Sequence, residues 1–142
     1  DVGVYFFSQA ITEAEAIEEA DYICDKIRGY NINLPVVYDT EYLPGGRHNN
    51  LTRAQRTKVA KAFCNRVIQR GYTPMIYGST SWLNNDLDMS QLKGYKIWVA
   101  QYYSSCQYTG SYDFWQYSSS GTVPGINGGV DMNYWYTGGM NY

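Results

Sequence analysis

Two stretches constrain the architecture more than any others. ITEAEAIEEADYICDKIRGY and LTRAQRTKVAKAFCNRVIQRG each read as a capped amphipathic helix, and each is followed by a short apolar, β-prone run. In the first, Thr12 and Glu15 have capping-box spacing, and Ile17, Ala20, Cys24 and Ile27 recur at helical spacing. Its acids crowd the front and Lys26 and Arg28 the back, as the helix dipole prefers, and it ends near Gly29. In the second, Thr52 and Gln55 repeat the capping box, Val59, Phe63 and Val67 form the stripe, and Gly71 is the stop. Its Arg and Lys residues read as a solvated face.

Strands are predicted around these helices: Val2–Ser8, LPVVYDTEY, TPMIYG, YKIWVAQYY, YDFWQYSS and, after the turn signal Asn127-Gly128, GVDMNYW. SWLNNDLDMSQL reads as a short helix or loop. Strands alternating with helices imply parallel βα units. The later strands have connections too thin for full helices. The expected fold is therefore α/β: a βα barrel with a degenerate second half, forming a single domain over residues 1–142.

Composition narrows the function. A net charge of −2 gives no reason to expect nucleic acid or an anionic membrane as partner. No apolar run approaches the roughly 18–20 residues of a membrane span. Sixteen tyrosines in a chain with only 17% charged residues suit sugar binding outside the cell, where a ring stacks on a pyranose and its hydroxyl bonds to the sugar. Tyrosine also simply fills strands well. Cys24, Cys64 and Cys106 are too few and too widely spaced for a disulfide framework, and Cys24 and Cys64 read as buried thiols. With His48 the only histidine and no two ligands at metal-site spacing, neither a metal nor a cofactor is expected.

The chemistry points to VVYDTEY. Residues two apart on a strand share a face, so Val37, Asp39 and Glu41 point one way and Tyr38, Thr40 and Tyr42 the other. Two residues rise about 6.6 Å, which makes the two carboxyls neighbours. A like charge at that range raises one pKa, and an acid kept protonated near neutrality can donate to a leaving group. The pair stands at the C-terminal end of its strand, which is the catalytic end of a βα barrel. The plain alternative is two acids at a strand end, facing water.

At this point the sequence resembles a known family. Asp-x-Glu at a strand end after a Pro-containing apolar run is similar to the family 25 glycoside hydrolases, the Chalaropsis-type lysozymes. GVYFF resembles that family's Gly-x-Tyr-His-Phe motif, with Phe6 where His is common. TPMIYGSTSW, IWVAQYY and FWQYSSSGTVPGINGGVDMN follow in the family's order. The resemblance implies an extracellular muramidase that cuts the β-1,4 bond between N-acetylmuramic acid and N-acetylglucosamine in the peptidoglycan glycan strand. It implies Glu41 as general acid, with Asp39 beside it to orient and charge-stabilise the substrate acetamido group as that group attacks the anomeric carbon. Direct attack by water is the competing scheme. It further implies Asp131 as an active-site acid, sharing a face with Asn133, and Tyr5 and Tyr77 near the substrate. Trp98, Tyr102 and Trp115 are candidate stacking or lining groups, with core packing the alternative for each.

One motif is absent: the first-strand Asp-Val-Ser segment that supplies another active-site Asp. Two strand-helix units of the barrel are expected to be missing, about 60 residues at roughly 30 per unit. Such a chain is a piece of a longer protein, takes the strands from a second chain, or closes by self-association through open sheet edges. The expectation is an active parent muramidase and a weak or inactive 142-residue piece. A chitinase-like signature would need acids at Leu34 and Val37, which are apolar. A non-catalytic peptidoglycan-binding module is the rival from a different class. Arg47, His48 and Asn49 read as a solvated loop, Asp86 and Asp88 have no assigned role, and Asp113 reads as structural.

Overall fold

A computed structural model describes residues 1–137. Six strands form one sheet in chain order: β1 (Val4–Phe7), β2 (Val36–Asp39), β3 (Pro74–Ser79), β4 (Lys96–Ala100), β5 (Phe114–Gly121) and β6 (Val130–Trp135). β1 to β5 run parallel, as the alternation of strands and helices implies. β6 returns antiparallel to β5 as a hairpin, because eight residues between them leave no room for a crossover. Tyr117 opposes no partner residue in that pair, and the register shifts there as at a β-bulge.

Helix α1 (Glu13–Lys26) links β1 to β2, and α2 (Arg53–Gln69) links β2 to β3. Both start as expected. The Thr12 hydroxyl accepts from Glu15 N–H (3.2 Å), and the Glu15 carboxylate accepts from Ile11 N–H (2.8 Å). At α2 the capping box is complete, since Thr52 accepts from Gln55 N–H and the Gln55 side chain accepts from Thr52 N–H. Gly71 follows α2 with φ of 87°, the left-handed geometry of a helix stop. Helix α3 (Thr80–Asn85) covers the SWLNN part of the SWLNNDLDMSQL stretch and is capped by Ser79.

The core lies between the helices and the convex face of the sheet. Val36, Tyr38 and Ile76 pack there against Val59, Phe63 and Val67 of α2. Of the expected α1 stripe, Ala20, Cys24 and Ile27 are buried as read, while Ile17 is exposed and Ala16 takes the buried place beside it. The short residues Ala16 and Ala20 let α1 approach α2 closely, and no larger side chain is needed to fill the gap. Cys24 and Cys64 are both buried free thiols in this layer. On the α1–α2 surface, Asp21 and Asp25 pair with Arg66 and Arg70.

On the opposite face, side chains from all six strands line a single groove, which requires the sheet to curl into a half-barrel. Among the described residues, no helix is long and apolar enough to cross a membrane.

Candidate functional site

The groove holds about 180 Å³ and takes Tyr5 from β1, Asp39 from β2, Tyr77 from β3, Trp98 from β4, Gln116 from β5 and Asp131 from β6, with Glu41 just past the end of β2. The parallel register sets Asp39, Tyr77 and Trp98 side by side across three strands. Tyr77 and Trp98 meet edge to face at 4.9 Å between centroids. A second groove of about 410 Å³ adjoins the first, shares Glu41 and Tyr77 with it, and adds Ser79, Thr80, Gln101, Tyr102 and Tyr103.

Six of the nine residues singled out from the sequence therefore line the first groove: Asp39, Glu41, Asp131, Tyr5, Tyr77 and Trp98. Tyr102 lines the second, and its hydroxyl donates to Gln116 Oε1 (2.6 Å). Asn133 is exposed, lines neither groove, and accepts from the Trp98 indole N–H (2.8 Å). Trp115 is not brought to the site. It is buried in the convex-side core, donates to the Gln101 carbonyl (2.8 Å) and packs on Tyr117 and Tyr134. Strand alternation gives the reason: its neighbour Gln116 takes the groove face, so Trp115 must take the other.

Gln116 escaped the sequence reading. It is buried, and its amide oxygen accepts from both Tyr77 (2.7 Å) and Tyr102 (2.6 Å), so it fixes two phenols with one acceptor. Burial, and next the neighbouring Tyr102, push the Tyr77 hydroxyl above the usual phenol range, so it stays a neutral donor. The flanking Trp-Gln-Tyr stretch gave no hint of its role beyond the period-2 pattern.

The two acids of VVYDTEY differ in environment. Asp39 is 7% exposed, and its Oδ1 is buried with no hydrogen-bond partner among the described residues. Burial first, and the Glu41 charge second, push its carboxyl up to about 7. Glu41 stands exposed at the rim, and the burial it does have raises its pKa as well. The expected effect of the neighbouring charge is present at Asp39, but desolvation is the larger cause. The site holds one carboxyl inside and one at the mouth, both biased toward the protonated form. No cluster of three or more His, Cys, Asp or Glu side chains suited to a metal ion occurs among the described residues.

His48 differs most from expectation. Instead of facing water it is 4% exposed, in a single 3₁₀ turn (Arg47–Asn50), with its Nε2 2.8 Å from the Glu41 carbonyl oxygen. Arg47 pairs with Glu15, and Asn49 bonds to the Leu43 backbone. Asp113 is structural as expected: its carboxylate accepts from Ile97 N–H (3.0 Å) and pairs with Lys96.

Comparison with known proteins agrees with this geometry. The family model described as "Glycosyl hydrolases family 25" matches residues 1–126. The autolytic lysozyme of Clostridium acetobutylicum is 26% identical over 133 residues, which cover 93% of this chain and 38% of that protein. Lysozyme M1 of Streptomyces globisporus is 29% identical over 142 residues, covering 92% of this chain and 48% of that protein. The chain thus spans less than half the length of the curated relatives it matches. Among solved structures, the modular autolysin LytC from Streptococcus pneumoniae superposes with a TM-score of 0.80 at 27% identity, covering 93% of this chain and 33% of that one.

Proposed function

The chain belongs to glycosyl hydrolases family 25, and on that premise we propose that residues 1–142 form a muramidase domain acting outside the cell on the peptidoglycan glycan strand. The bond cut is the β-1,4 linkage between N-acetylmuramic acid and N-acetylglucosamine. The curled sheet is read as part of a βα barrel with a degenerate second half, with the acids at its catalytic end.

The observation that carries the reading is the pairing of an inner and a rim carboxyl in one groove with a third acid, Asp131. Glu41, held toward its protonated form, is the general acid. It is placed at the mouth, where a leaving sugar oxygen is still within reach, and it borders both grooves. Asp39 offers a buried oxygen with no donor among the described residues, suited to the N–H of a substrate acetamido group. As an anion it orients that group and stabilises the positive charge that develops when the acetamido oxygen attacks the anomeric carbon. Asp131 supplies further negative potential from the opposite strand. Tyr77, neutral and with its proton held by Gln116, offers its hydroxyl oxygen to the sugar as an acceptor, and Tyr5 and Trp98 present ring surface to it.

The test is Glu41→Gln, read by clearing of a cell-wall suspension and by release of reducing ends. Turnover is expected to fall roughly 10²–10⁴-fold, as on removing a general acid, while wall binding persists. Unchanged turnover overturns the assignment, and wall binding without any wild-type turnover indicates a binding module.

A further inference from the structure

Strand β2 ends at Asp39, and its ladder reaches one residue further through the Thr40 N–H bond to the Tyr77 carbonyl (3.1 Å). Glu41 lies beyond that ladder. The hydrogen bonds found on backbone 41–43 come from the turn that follows. His48 Nε2 meets the Glu41 carbonyl, Asn49 exchanges two bonds with Leu43, and Gly46 N–H donates to the Leu43 carbonyl (2.8 Å). Gly46 also makes room for the imidazole, since a Cβ there would stand 2.8 Å from His48 Cε1.

The turn is in turn held by Arg56 of α2, which is 3% exposed. Its Nη2 donates to the carbonyls of His48 (3.0 Å) and Asn49 (3.1 Å), and its Nη1 lies 3.6 Å from the Asp86 carboxylate. The guanidinium lies 4.6 Å from the Trp82 ring centroid, and the Trp82 indole N–H donates to the Thr40 hydroxyl (3.0 Å). A buried arginine is normally matched to a carboxylate. Here both Nη2 bonds go to carbonyls of the turn and Nη1 also reaches the Asp86 carbonyl (3.4 Å), which is what fixing a loop requires.

We propose that His48 and Arg56 are positioning residues for the acid: the guanidinium sets the 47–50 turn, and the imidazole of that turn sets the backbone of Glu41. The tautomer follows. With the Glu41 carbonyl as acceptor, Nε2 carries the proton and the buried Nδ1 is left without a partner among the described residues. Neither residue reaches the groove, so neither touches substrate.

This rests on Glu41 being the general acid, and the experiment separates the two claims. Carboxyl carbon NMR follows the Glu41 titration in the 142-residue chain carrying His48→Leu, His48→Gln, Arg56→Lys and, as a core-destabilising control, Val67→Ala. Asp39, Asp131, Tyr77 and Tyr102 share the grooves with Glu41 and are unchanged in all four. His48→Leu and Arg56→Lys are expected to return the Glu41 pKa toward the ordinary value of about 4.3, because a freed rim carboxylate gains water. His48→Gln, whose amide N–H can still reach the carbonyl, restores the wild-type titration, and Val67→Ala leaves it unmoved. Wall-clearing kcat is expected to fall about 10-fold or more in His48→Leu with little change in KM, the pattern of a misplaced catalytic group. A wild-type Glu41 titration in His48→Leu, or an equal shift in Val67→Ala, overturns the positioning role. Wall clearing that survives Glu41→Gln overturns the assignment of the acid, whatever the titrations show.

Discussion

The sheet is backed by two different materials. Behind β1 to β3 stand α1 and α2, and the contacts are mostly small and aliphatic groups around one ring cluster of Phe6, Tyr38 and Phe63. Behind β5 and β6 the backing is aromatic: Tyr108 on Tyr112, Tyr112 on Tyr136, Trp115 on Tyr134, and Tyr134 stacked on Tyr117 at 4.6 Å. The connection from β4 to β5 contains no helix, so rings hung on loops and on a hairpin take over the task of excluding water. A helix presents a regular stripe, whereas loops need large side chains to cover the same area. The division extends to the groove. The acid pair comes from the helix-backed half, and the neutral hydrogen-bonding pair Gln116 and Tyr102 comes from the ring-backed half.

Substitutions can break this contrast or sharpen it. Phe63→Ala, in the helix-backed core, removes a fully buried ring at the centre of contacts with Phe6 and Tyr38. A loss of about 3–5 kcal/mol is expected by denaturant unfolding. Asp39→Asn should act in the opposite direction. The Asp39 carboxyl titrates near 7 when folded, above the ~3.9 of an unfolded Asp, so the folded state holds the extra proton between those values. Stability contributed by this group is therefore full below pH 4 and declines as pH rises through 7. The asparagine variant should be more stable than wild type at pH 8, by up to about 4 kcal/mol, and nearly equal to it at pH 4, as measured by unfolding midpoints at the two pH values.

A smaller effect is expected in the ring-backed half. Trp115→Phe keeps the packing surface and deletes the donor to the Gln101 carbonyl, for a loss of about 1–2 kcal/mol. If it costs as much as Phe63→Ala, the ring-backed half is no looser than the other. The smallest change is Thr52→Ala. It removes one side of the α2 capping box and should cost about 1 kcal/mol in a thermal melt, confined to the helix-backed half.

What the sequence disclosed follows the same division. The caps of α1 and α2 depend on residues three apart, and the acid pair of β2 on residues two apart. Such local rules read correctly without knowledge of the fold. The Ile17 misreading came from α1 packing on small residues, where a methyl-sized stripe competes with a larger but exposed side chain. Trp115 and Gln116 needed the parity of β5, which is set by its partners β4 and β6 and not by its own pattern, since both neighbours are plausible in either place. His48 sits in a single 3₁₀ turn, too short for any periodicity. Its burial depends on Arg56, eight residues away on a different element, with the room made by Gly46. The antiparallel return of β6 was signalled only by a turn motif and a short connection.

The lone oxygen of Asp39 has a consequence beyond stability. With its carboxyl pushed up to about 7, the empty groove near neutrality holds both charged and uncharged forms. Under the proposed reading, a sugar amide selects the charged ones, so docking expels a proton into the buffer. Affinity then weakens as the medium sours, and the heat of complexation differs between buffers by their own ionisation enthalpies. On that same reading of the substrate, the acidity of the medium becomes a throttle on when the groove engages it.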